Sequence, residues 1–193
     1  MCTPIFHLID ACKKLVEYFR HSNLQSKLSK TVKQENMTRW NSLLACLMSV
    51  DEMCDKVVTL LTSKNKLGYL KDINRMLLQE LVLFLSEFQS ATLDLEPFKK
   101  PATLHKVAYW RHVLLKHLKP VEMEVKEHEG NILVAKDSNS IIALKAIMLP
   151  IFDEKFKLKE IHILATVLDP IMKSKLRGMG VDGLQFHHAT ESL

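Results

Sequence analysis

Six apolar side chains, Leu77, Leu81, Phe84, Phe88, Ala91 and Leu95, follow one another at alternating spacings of four and three, which aligns them along one stripe of an α-helix. Such a stripe must be buried against another element, so it constrains the rest of the chain to supply helices or a sheet to cover it. A second stripe, Trp40, Leu43, Leu47, Val50, Cys54, Val57 and Leu61, predicts another long helix, with Thr38 placed to cap its start. Leu104, Val107, Ala108, Leu115 and Leu118 predict a third, entered after Pro101 and closed by Pro120.

The same spacing through Ile9, Cys12, Val16 and Phe19 predicts a helix over 5–20, and 24–33 reads as a shorter one. After Pro120, an acidic stretch with Glu122, Glu124, Glu127 and Glu129 runs into Gly130 and Asn131 and reads as a connection. Ile141, Leu144, Met148 and Phe152 resume the helical spacing, with Pro150 expected to bend or break it. Ile161, Leu164, Ala165 and Leu168 predict a last short helix before Asp169-Pro170. No stretch alternates with a period of two between turns, and the apolar runs favour Leu and Met over Val, Ile and Thr, so almost no sheet is expected. The fold class is all-α, with a loose tail from Gly178 to Leu193.

With 47% apolar and 25% charged residues and only five Gly and six Pro, the 193-residue chain has the balance of a globular protein with one principal unit. Charged residues interrupt every apolar run well before the roughly 18 residues of a spanning helix, so no membrane role is expected. Cys2, Cys12, Cys46 and Cys54 form no CxxC pair, and the chain opens with no secretory pattern, which implies reduced thiols in an intracellular setting. The formal charge of +5 is compatible with a nucleic-acid partner, but Lys27, Lys30 and Lys33, Lys99, Lys100 and Lys106, and Lys173, Lys175 and Arg177 are scattered rather than massed.

Thr38-Arg39-Trp40-Asn41-Ser42-Leu43 resembles the TRWNS signature that opens the helical insertion of hAT-superfamily transposases and their domesticated, often BED-finger-containing, relatives. Three further stretches resemble that family in the same order. They are Lys14-Leu15-Val16-Glu17-Tyr18-Phe19-Arg20-His21-Ser22 upstream, Leu85 to Leu95 with Pro101-Ala102-Thr103-Leu104 downstream, and Ile163 to Pro170 followed by Lys173. Ile171 stands where the family's LDPR.K element has Arg.

The resemblance implies N-terminal helices over 1–37, a helical insertion domain over 38–177 and the tail over 178–193. The resemblance also implies that the insertion belongs to an RNase H-like catalytic fold in which three acids hold two divalent metals. That catalytic fold is expected to be absent here, together with its acids, the BED zinc finger and the dimerisation segment, so a non-enzymatic fragment without cofactor or metal is expected. Leu168, Asp169, Pro170 and Lys173 join Thr38 to Ser42 as family-signature positions, with no catalytic role assigned. Expected partners are DNA, full-length transposase-like proteins or a second copy, and no small-molecule substrate; a nuclear location is implied by the family alone. Alternatives are a subdomain of an active DDE transposase and a protein–protein scaffold, whose unpartnered apolar faces would drive association.

Arg39 and Trp40 are the candidate DNA contacts. Trp40 either stacks on a base or packs at the head of the Leu43, Leu47, Val50 stripe, and Arg39 either meets a phosphate or is an ordinary surface residue. Asp169 before Pro170 reads as a helix terminator that binds the following backbone donors, and Asp51, Glu52 and Asp55 as a solvated face without a histidine at ligand spacing. His105, His112, His117, His187 and His188 lack metal-ligand spacing, so zinc is not expected.

Overall fold

The computed structural model describes residues 3–35, 40–96, 104–121, 124–128, 131–174 and 178, with the backbone alone for Trp40, 124–128 and 131–135. The class is all-α: eight α-helices and one short antiparallel hairpin stand among the described residues. The chain divides into two compact units, one of 1–86 with 136–143 and one of 87–135 with 144–193.

The first unit contains α1 (Thr3–His21), α2 (Trp40–Glu52), α3 (Cys54–Ser63), the beginning of α4 (Arg75–Leu95) and the beginning of α6 (Asn139–Lys155). α1 buries Ile5, Leu8, Cys12, Leu15, Val16 and Phe19 and packs on α2. It stops at Ser22, whose hydroxyl donates to the Tyr18 carbonyl at 2.6 Å, and at Asn23, which adopts the left-handed conformation with φ 58°. The expected helix over 24–33 is a single 3-10 turn, Leu24–Lys27. Leu24, Leu28 and Val32 are buried four residues apart and so imitate helical spacing, but the backbone beyond the turn is held by side chains. Gln25 donates to the Val32 carbonyl at 3.0 Å, and the Lys33 amide donates to the Ser49 hydroxyl at 2.9 Å.

The single helix expected over 40–61 is two, α2 and α3, separated at Met53 (φ −99°, ψ 4°). Apolar spacing does not register a one-residue departure: Leu44, Leu47, Val50, Met53, Val57 and Leu61 stay buried across the break. Leu44, rather than the half-buried Leu43, occupies the core. Thr38, the expected cap, lies outside the described residues. The stripe of α4 is as expected at Leu81, Phe84 and Ala91, with Leu78 fully buried in addition.

The second unit holds the rest of α4 and α6, α5 (Leu104–His117), the hairpin, α7 (Glu160–Leu168) and α8 (Pro170–Lys173). The expected connection after Pro120 contains strands β1 (Glu124–His128) and β2 (Asn131–Ala135), paired from Glu124 opposite Ala135 to His128 opposite Asn131. The Ile132-Leu133-Val134 run supplies strand propensity, and the two-residue Glu129-Gly130 link is of hairpin length. Pro150 does not break α6, which continues to Lys155. The residue four before it, Ala146, is exposed, so water can take the carbonyl that the missing proline N–H leaves free.

α7 turns the opposite face inward from the one its spacing predicts. Ile163, Thr166 and Val167 are buried against neighbours that include α5, while Ile161 and Leu168 are 49% and 62% exposed. In α5, Leu104 is exposed and Leu114, not Leu115, is buried with Ala108; Leu118, just past its end, is buried as well. Phe88, His117, Phe152 and Phe156 form an edge-to-face aromatic cluster. Apart from Gly178, the expected tail lies outside the described residues.

Candidate functional site

The TRWNSL stretch runs into α2, whose described residues begin at Trp40. Thr38, Arg39 and the Trp40 side chain lie outside the described residues. Asn41 and Ser42 are half-buried on the first turn, and Asn41 Oδ1 is buried without a hydrogen-bond partner.

The Leu168-Asp169-Pro170 element is a junction between α7 and α8. Asp169 Oδ1 accepts from the amides of Ile171 at 2.8 Å and Met172 at 3.1 Å, and Pro170 occupies the first helical position, where its missing N–H is no loss. Asp169 Oδ2 stands 3.6 Å from His105 Nε2 on α5. These amides, Met172's foremost, hold the carboxyl below its ordinary range, with a smaller pull from His105. The fully buried Thr166 hydroxyl shares its single proton between the His162 carbonyl of its own helix at 2.7 Å and the His105 carbonyl of α5 at 3.0 Å. His162 Nδ1 accepts from the Lys159 amide at 3.1 Å, which leaves the ring proton on Nε2; burial, then Lys159, lowers its pKa. Lys173 is exposed on α8. With both its oxygens engaged, Asp169 serves as a helix cap and an interhelical contact.

Three arrangements escaped sequence reasoning because their partners are distant along the chain. Asp94 at the end of α4 accepts from Lys106 Nζ at 2.7 Å and from Trp110 Nε1 at 2.9 Å, anchoring α5. Arg111 donates to the Phe156 carbonyl at 2.7 Å and pairs with Asp153, tying α5 to the end of α6. The acidic face of α2 and α3 is cross-linked rather than merely solvated. Arg75 meets Asp55 at 2.9 Å and Asp51 at 3.8 Å, Gln79 donates to Asp51 at 3.1 Å, and Lys30 meets Glu52 at 3.0 Å.

Among the described residues no group of three or more His, Cys, Asp or Glu could hold a metal ion, and no helix is long and apolar enough to cross a membrane. No family model and no curated protein matches this chain.

Proposed function

We propose that the chain is a non-catalytic helical module of hAT-transposase type that recognises DNA through the start of α2. What supports the reading is the TRWNSL stretch itself, which runs into α2: an arginine suits a phosphate and a tryptophan ring an unstacked base. In this reading the module is the insertion of an RNase H-like transposase, works in the nucleus, and uses no cofactor of its own.

A second reading, a protein-interaction module, is favoured by the apolar side chains left exposed in the second unit. Ile161, Leu168 and Ile171, at 49%, 62% and 72% exposure, continue from α7 into α8. Its partner would be a full-length transposase-like protein or a second copy.

Anisotropy of a labelled DNA hairpin separates the two. The first reading expects saturable, salt-sensitive binding that weakens at least fivefold in Trp40→Ala and in Arg39→Ala, given that base stacking contributes about 1–3 kcal/mol. Absence of binding by a chain that circular dichroism shows to be helical would abandon it in favour of the second.

A further inference from the structure

In the first unit, α1 meets the turn after α3 at two tyrosines that no function so far described uses. Tyr18 of α1 and Tyr69 of the 3-10 turn Leu67–Leu70 are stacked, with ring centroids 4.4 Å apart and planes 23° from parallel. Tyr69 remains 37% exposed and lines, with Asn65, Lys66 and Gly68, an open concavity of about 400 Å³. Beside Gly68 a Cβ would meet nothing within 4 Å, so bare backbone borders this space.

The turn is closed by backbone hydrogen bonds. Asn65 adopts φ 53°, its amide donates to the Thr62 carbonyl at 3.0 Å, and the Lys66 amide reaches back to the Leu61 carbonyl at 2.8 Å, the paired bonds of a left-handed helix stop. The stop and the 3-10 turn after it carry Lys64, Lys66 and Lys71, all exposed, of which Lys66 lines the concavity with Tyr69; no acid stands between them in sequence, and the first is Asp72. On α1 the nearest acid in sequence, Glu17, lies 3.8 Å from His21.

We infer that this turn binds single-stranded nucleic acid, an unpaired base stacking on Tyr69 to extend the Tyr18–Tyr69 pair while Lys64, Lys66 and Lys71 meet the flanking phosphates. An exposed aromatic ring beside a lysine, with further lysines a few residues away in sequence, is suited to hold a single strand without reading its sequence. A base inside a duplex has both faces occupied by its neighbours and cannot use the ring. An acidic peptide would use the lysines and leave the ring idle. This surface is separate from the start of α2 and stands whether or not that site binds DNA.

The test is a titration of the full chain into a short labelled oligothymidine and a duplex of equal length at two salt concentrations. It includes Tyr69→Ala, Tyr69→Phe, Trp40→Ala and a triple variant with Lys64, Lys66 and Lys71 each changed to Gln. The single strand should bind more tightly than the duplex. Tyr69→Ala should weaken it at least fivefold, Tyr69→Phe should bind as the parent does, and the triple variant should reduce the slope of log affinity against log salt by about 2. The triple variant changes only exposed side chains, so it decides the matter even where Tyr69→Ala fails to fold. Undiminished binding by the triple variant or by folded Tyr69→Ala would overturn the inference, as would duplex preference, full competition by polyglutamate, or complete loss in Trp40→Ala.

Discussion

Replacing Asp169 with Ala removes the acceptor for two amides and the neighbour of His105 at one stroke. Because the folded carboxyl titrates below its unfolded value, the stabilisation is present above the ordinary carboxylate range and is lost as the pH falls through the depressed value. Thermal melts should therefore separate parent from Asp169→Ala at pH 7 and converge in strong acid; a constant separation across that range would refute this role. Asp94→Ala leaves Lys106 and Trp110 without a shared acceptor and should cost about 1–3 kcal/mol in urea denaturation, towards the lower end because the ion pair is about a quarter exposed. Cys12 and Cys46 behave oppositely to Asp169. Burial is the main cause that pushes their thiols from 9.0 to about 12 and about 11, so the unfolded chain ionises first. Stability is retained below pH 9 and falls as the pH rises towards these values, and in native alkylation the half-buried Cys54 should react before either.

At the scale of elements, α7 offers the sharpest comparison. Ile163→Ala should cost about 2–5 kcal/mol, whereas Leu168→Ala on the exposed face should change stability by less than about 0.5 kcal/mol, both read by urea denaturation. Phe19→Ala, at a fully buried position of α1, should cost about 3–5 kcal/mol. Helical periodicity revealed α1, α4 and α5 because each carries enough turns for an apolar stripe to repeat. It could not orient α7, whose nine residues are apolar on nearly every side, so that α5 and the bond from Thr166 decide which face is covered. It also missed the stop at Met53, where the buried stripe carries on through a one-residue break, and the hairpin, whose acidic first strand hid the apolar second. The helix-terminating part played by Asp169 was legible because Asp before Pro carries its own local geometry. Asp94 was not legible, since its partners lie 12 and 16 residues away.

For the whole molecule, three of the ordered motifs run to helix ends, those of α1, α4 and α7, and TRWNSL runs into α2. Hydrogen bonds and burial account for the second and third without a ligand, so Thr166 and Asp169 need no functional role to explain them. The start of α2 differs, because no hydrogen bond to Asn41 Oδ1 explains its burial. The measurement that bears on DNA recognition most directly is hydrogen exchange of the chain with and without saturating hairpin DNA, read peptide by peptide. The expected result is added protection in the peptide covering the first turn of α2, abolished in Trp40→Ala. Protection elsewhere with that peptide unchanged, or saturable binding unaffected by Trp40→Ala, would contradict recognition through the TRWNSL stretch.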